Sequence, residues 1–315
     1  MHIKEKAAFE HWRISYFPSL SLSPVPDYPF LWLVKISQNQ QLQKLALCDF
    51  VDFIDLGPRP AYEEGENDQT GFRLNRVSAL QAAFPHLEGQ NLKASVKEQA
   101  FDKNDLDFRG RVGDLDNFPD NFTNHASDMA GLIGGGGNSS PLGRGLARQV
   151  VLYTASFSNL MPDPVASLSG RGIFVQNHSY GVGIENYYGL ETEAYDRQVW
   201  ENPSLLHIFS AGNAGNQSSP SGAYTGILGF ANLTAQFKMS KNTLSVGEIL
   251  ADGQLAGLSS RGPAYDGRVK PELVAYGGEG TSASAALVSG ISLLLQQAYA
   301  EKFGLMPRVD LVKAP

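Results

Sequence analysis

Short apolar runs rich in Val, Ile, Leu and Phe recur along the chain, and each ends in a turn of glycine, proline, asparagine or serine. These runs predict strands at 92–96, 150–154, 173–177, 205–209 and 243–246. Elsewhere the pattern turns helical, which predicts helices after His125, over 191–201, and from 282 to about 302, the last closed by Gly304. Apolar strands alternating with helices predict an α/β fold, a mainly parallel sheet covered by helices on both faces. Catalytic groups in such a sheet fall at the carboxyl ends of strands. Ahead of this alternation, 31–37, 38–47 and 50–55 read as strand, helix and strand. The polar, proline-containing stretch 58–70 reads as an exposed linker. Gly134-Gly135-Gly136-Gly137 reads as a flexible connection, because it lacks the lysine and following hydroxyl of a phosphate loop.

Composition narrows the function classes. The 315 residues are 42 % hydrophobic and 18 % charged, so the chain is globular, with enough length for one large domain or two ordinary ones. Its net charge of −7, with no Lys/Arg cluster, argues against nucleic acid as a partner. Cys48 is the only cysteine, which excludes an intrachain disulfide and a multi-cysteine metal site. No uninterrupted apolar run approaches the ~18 residues of a membrane span. The N-terminal stretch has no charged start, apolar centre and small-residue cleavage site of a signal peptide.

The strongest chemical signal is Gly280-Thr281-Ser282-Ala283-Ser284-Ala285-Ala286-Leu287-Val288-Ser289-Gly290. A small-residue turn presents a serine, and an apolar helix follows at once. A hydroxyl at a helix N-terminus sits where unsatisfied amides and the positive dipole end favour developing negative charge. A serine that attacks a carbonyl needs that setting, and it needs a base for its proton. Of six histidines, His2 and His11 lie in an irregular N-terminal segment, His86 reads as solvated, and His178 and His207 read as half-buried. His125 opens a helix of small residues, Asn124-His125-Ala126-Ser127-Asp128-Met129-Ala130-Gly131, that can pack closely on another element.

His125-x-Ser127-x-x-Ala130-Gly131 and Gly280-Thr281-Ser282 with Val288 and Gly290, in that order, resemble the histidine and serine motifs of the subtilisin-like serine peptidases, the subtilases. Ser210-Ala211-Gly212-Asn213 resembles the segment whose asparagine supplies the side-chain oxyanion donor. Gln176-Asn177-His178-Ser179-Tyr180-Gly181 resembles the edge that pairs with substrate. Gly143-Arg144-Gly145-Leu146-Ala147, Ser259-Ser260-Arg261-Gly262-Pro263 and 267–275 resemble further family segments. The resemblance covers roughly residues 70 to 300 and implies a three-layer αβα fold and a serine endopeptidase acting on polypeptides. It implies Ser282 as nucleophile, His125 as general base and Asn213 as oxyanion donor, with substrate backbone lying along Ser179, Tyr180 and Gly181.

The family orients its histidine with an aspartate. Counting from Gly89 places Glu98 at that position, 27 residues before His125, with Asp102 as the alternative. Glutamate keeps the charge and both acceptor oxygens but is one methylene longer. Glu98, together with Ala286 where relatives carry proline, leaves open an inactive peptide-binding scaffold. An α/β-hydrolase with Ser179 as nucleophile is a more remote alternative, since only His207 follows it. The resemblance divides the chain into 1–57, similar to the back half of an inhibitory prodomain, the linker 58–70 as a maturation cleavage site, and a peptidase domain 71–315. Only 33 residues follow Ser282, fewer than in the family, which implies a fragment. The resemblance also implies secretion and no required cofactor. Relatives often hold structural calcium, but Asp102, Asp105, Asp107, Asp114 and Asp116 show no ordered ligand spacing, so no metal site is assigned.

Overall fold

The apolar runs from residue 92 onward assemble into one sheet. A computed structural model describes residues 1–57, 59–63, 71–115, 121–278 and 280–314. The chain forms two units, Met1–Arg59 and Pro60–Pro315.

In the first unit, β1 (His2–Ile3), β2 (Leu22–Val25), β3 (Tyr28–Val34) and β4 (Val51–Phe53) form an antiparallel sheet in the order β2-β3-β1-β4. With α1 (Lys6–Tyr16) and α2 (Asn39–Ala46) they enclose a core of Ile3, Phe9, Leu20, Leu45 and Cys48. The predicted strand–helix–strand corresponds to β3, α2 and β4. His2 and His11 lie in β1 and α1, not in an irregular segment. Only Phe9 of α1 is fully buried, and so narrow an apolar stripe gives a weak helical signal.

The second unit opens with β5 (Tyr62–Glu63), α3 (Gly71–Leu74), α4 (Val77–Ala83), β6 (Lys93–Glu98) and β7 (Val112–Asp114). It continues with α5 (Asn124–Gly134), β8 (Val151–Ser156), β9 (Ile173–His178), β10 (Tyr180–Gly181), α6 (Leu190–Glu201) and β11 (Leu206–Ser210). β12 (Leu244–Glu248), β13 (Leu273–Ala275), α7 (Thr281–Phe303) and α8 (Val309–Lys313) complete it. Seven strands pair in parallel in the order β13-β12-β11-β9-β6-β8-β7. This is the three-layer αβα arrangement that the alternation predicted. From β6 the chain builds out to β7 and β8, then returns to β9 on the other side. The reversal between β6 and β9 is where open α/β sheets place their sites. The reading 58–70 as a linker and cleavage site falls largely outside the described residues, which include 59–63 of it.

Strand alternation separates the two faces. Leu206 and Ile208 join Val96, Val175 and Leu287 in the main core, whereas the rings of His207 and Phe209 meet Tyr195 of α6. α7 is long and apolar enough to cross a membrane, yet 72 % of its apolar window is buried inside the protein. It packs on β9, β11, β12, β13 and α5 and is a core helix. Serines and a glycine interrupt its apolar run, which is why no continuous apolar span shows there in the sequence.

The glycine run after α5 is not a flexible connection. Leu146 N and Ala147 N donate to Leu132 O at 3.0 Å and Ile133 O at 2.8 Å, satisfying carbonyls that a helix C-terminus leaves without partners. Gly145 N donates to Gly135 O at 2.9 Å. A Cβ on Gly145 would stand 2.4 Å from Gly131 O and 2.6 Å from Gly135 N, so only glycine permits this approach. We expect Gly145→Ala to destabilise the fold by about 1–3 kcal/mol, the usual cost of overpacking. Thermal unfolding followed by circular dichroism reads this directly, and an unchanged midpoint would mean that the loop yields without cost.

Candidate active site

Glu98 ends β6, His125 is the second residue of α5, Ser282 is the second residue of α7, and Asn213 lies just past β11. Thr123 caps α5, its Oγ1 accepting from Ala126 N at 3.2 Å. The His125 imidazole turns inward from this start and is only 7 % exposed. Its Nδ1 lies 2.8 Å from Oε2 of the fully buried Glu98. Asp102 is otherwise engaged, its Oδ1 accepting the Asn104 amide at 2.9 Å. The longer glutamate side chain reaches the ring from the last residue of its strand.

A polar chain runs from Glu98 to Ser282. Asn177 Nδ2 donates to Glu98 Oε1 at 3.4 Å and to Ser179 Oγ at 2.9 Å, and Asn177 Oδ1 accepts from Ser289 Oγ at 2.9 Å. Ser179 Oγ donates to Ser282 O at 3.1 Å, and Ser282 Oγ donates to Ser179 O at 3.4 Å. Ser282 has its amide among the first N–H groups of α7, which no carbonyl within the helix can accept. Asn213 Oδ1 accepts from both Thr281 N and Thr281 Oγ1 at 3.1 Å. Thr281 Oγ1 accepts in turn from Gly212 N at 3.0 Å. Holding the amide oxygen fixes the side-chain flip and sets the donor edge of Asn213 away from Thr281.

β10 pairs antiparallel with β5, Tyr180 opposite Glu63 and Gly181 opposite Tyr62. The edge formed by Ser179, Tyr180 and Gly181 thus carries an extended segment of the protein's own chain. The Tyr180 side chain is fully buried among Phe157, Tyr195, Phe209 and Phe237, and Ala61 packs on this cluster. Beneath it, His178 Nδ1 meets Tyr180 Oη at 3.2 Å, His178 Nε2 meets His207 Nδ1 at 3.0 Å, and His207 Nε2 meets Gln198 Oε1 at 2.8 Å. Both histidines are wholly buried, not half-buried. Burial above all pushes His178 well below the ordinary imidazole range and lowers His207 to about 3. Neither imidazole faces Ser179 through a ring nitrogen that the network leaves open, and the sheet is not that of an α/β-hydrolase.

The acidic residues downstream of Glu98 serve the loops. Asp105 Oδ1 accepts Asp107 N at 2.9 Å, Asp114 pairs with Lys103 at 2.9 Å, and Asp107 binds the Asn138 and Ser139 amides and the Ser139 hydroxyl. Asp116 lies outside the described residues. Asn177 and Thr281, which orient Glu98 and Asn213, escaped the sequence reading as site residues. Thr281 adjoins the serine and Asn177 lies within a quoted motif, but no local pattern marks their partners.

Residues 85–312 match the Subtilase family. No curated protein sequence matches the chain. Among solved structures, the prenylagaramide maturation protease PagA is similar with a TM-score of 0.55 and 20 % identity, over 76 % of this chain and 85 % of that one. The self-cleaved protease domain of PatA has a TM-score of 0.53 and 20 % identity, over 72 % of this chain and 87 % of that one. At these identities the likeness is one of fold.

Proposed function

We infer, for a chain that belongs to the subtilase family and is a serine-type peptidase, an endopeptidase mechanism carried by Ser282, His125, Glu98 and Asn213. The observation that carries the reading is the 2.8 Å contact between His125 Nδ1 and buried Glu98 Oε2. An acceptor at Nδ1 keeps the proton there and leaves Nε2 as the basic nitrogen. His125 then takes the proton of Ser282 as Oγ attacks a peptide carbonyl. The carbonyl oxygen becomes an anion, received by the Ser282 amide and the Asn213 amide group. His125 returns the proton to the leaving amine, and water hydrolyses the acyl-enzyme by the same steps in reverse order. The ladder between β5 and β10 supports Ser179–Gly181 as the edge that receives extended substrate backbone.

Asn213 tests the oxyanion assignment separately from the triad. Asn213→Ala lowers kcat by about 10²–10³ with little change in KM, the usual cost of one oxyanion donor. Initial rates on a fluorogenic peptide measure this. A KM effect with unchanged kcat would instead make Asn213 a residue that only holds Thr281.

A further inference from the structure

Asn213 is held from both sides by one residue. Ser260 N donates to Gly212 O at 2.8 Å, and Ser260 Oγ accepts from Ala214 N at 3.0 Å. Gly212 O belongs to the peptide group before Asn213 and Ala214 N to the one after it. Peptide groups are planar, so fixing both leaves Asn213 little freedom in φ or ψ and sets the direction of its side chain. The two loops approach closely along their length. Gly215 N donates to Leu258 O at 2.8 Å, and a Cβ on Gly215 would stand 2.3 Å from Ser259 O. Asn232 secures the far side, its Nδ2 donating to Ala214 O at 2.8 Å and its Oδ1 accepting from Arg261 N at 2.7 Å.

Ser260 stands on a fixed base. Ser259, Ser260 and Glu248 are all buried. Glu248, the last residue of β12, donates through its amide to Ser259 Oγ at 3.0 Å, and its carbonyl accepts from Ala256 N at 3.1 Å. Glu248 Oε1 accepts from Gly280 N at 2.8 Å, two residues before Ser282. The loop 256–260 is therefore tied on one side to the turn of Asn213 and on the other to the turn that presents the Ser282 amide. Among the described residues, Ser260 makes no hydrogen bond to Ser282, to His125 or to the edge Ser179–Gly181. An oxyanion donor works only when fixed at hydrogen-bond distance from the place where charge develops. A contact that fixes the backbone of Asn213 thus bears on the reaction step, while the edge that would bind the peptide is left alone.

Resting on Asn213 as an oxyanion donor, we propose that Ser260 is a positioning residue for the oxyanion hole. It touches no reacting atom. It clamps the peptide groups on either side of Asn213, so that the side-chain amide is already in place when the carbonyl oxygen becomes an anion.

The test is a double-mutant cycle on the full chain with a fluorogenic peptide. Ser260→Ala keeps the bond from its own amide to Gly212 and removes only the acceptor of Ala214 N. It should lower kcat by about 10- to 100-fold with KM unchanged, the scale of a displaced oxyanion donor. In an Asn213→Ala background the same substitution should cost less than about twofold, because the group it positions is gone. A residue that merely supports the fold would cost the same factor in both backgrounds, and that result overturns the proposal. So does an unchanged kcat in Ser260→Ala. If Ser260→Ala does not fold, Ser260→Cys runs the same cycle, since it keeps the size of the side chain with a weaker acceptor. An Asn213→Ala enzyme with wild-type kcat, Ser282 still labelled by a fluorophosphonate, removes Asn213 as donor and this inference with it, but leaves the peptidase reading standing. No labelling and no hydrolysis by the folded wild type sink both.

Discussion

Ser282→Ala lowers peptide hydrolysis by roughly 10⁶-fold, the scale seen when a triad loses its nucleophile. The size of the loss follows from position. Ser282 occupies the first turn of α7, where amides and dipole are fixed before any charge develops. Ser179 cannot take over, because its hydroxyl is held between Asn177 Nδ2 and Ser282 O. The neighbouring His178 turns one nitrogen to Tyr180 and the other to His207, so it offers Ser179 no base. Fluorophosphonate labelling and hydrolysis should vanish together in a variant whose thermal unfolding matches the wild type. Labelling that persists in Ser282→Ala would place the nucleophile elsewhere.

Glu98→Gln should cost about 10⁴ in kcat, as neutralising the acid of such a triad does. The amide cannot act as a carboxylate toward both neighbours. Glu98 now accepts from Asn177 through Oε1 and meets His125 Nδ1 through Oε2. If the amide nitrogen faces the ring, Nδ1 must accept and Nε2 carries the proton, the wrong tautomer for a base. Glu98→Asp tests reach in place of charge. Glu98 is tied in register to Ser156 on β8, so the strand cannot advance to recover the missing methylene. A misplacement of about 1 Å should cost roughly 10² in kcat. Single-turnover acylation on both variants separates these effects from product release. An unchanged rate in Glu98→Gln would mean that another group orients His125.

Features that depend on local periodicity were legible in the sequence. The five predicted strands are long and apolar enough to show, and they correspond to β6, β8, β9, β11 and β12 within a few residues. β7 and β13 have three residues each and lie at the two edges of the sheet, so neither has a sustained apolar run. Ser282 and His125 stood out because small residues and helix starts are local signals. Glu98 was reachable only by counting along a family pattern. Asn177 and Thr281 owe their positions to residues distant in sequence, and no spacing rule exposes such contacts. β5 is the extreme case: two residues in an acidic stretch that read as linker form a ladder with β10 only because the fold brings that edge to them.

α7 carries a consequence for how this protein comes to be made. All of the strands it covers, β9, β11, β12 and β13, precede it in the chain, as does α5. During synthesis the apolar face of the sheet therefore emerges before the helix that shields it. Until residues 281–303 leave the ribosome, Val175, Ile208 and Val246 lack the Leu287 and Leu293 side of their core. Parallel pairing across such sequence separations is slow, and uncovered strands in the interval are prone to associate with one another. The second unit must thus close late and nearly all at once. Nascent chains stalled before residue 281 should bind chaperones and resist folding, whatever the sequence of the catalytic residues.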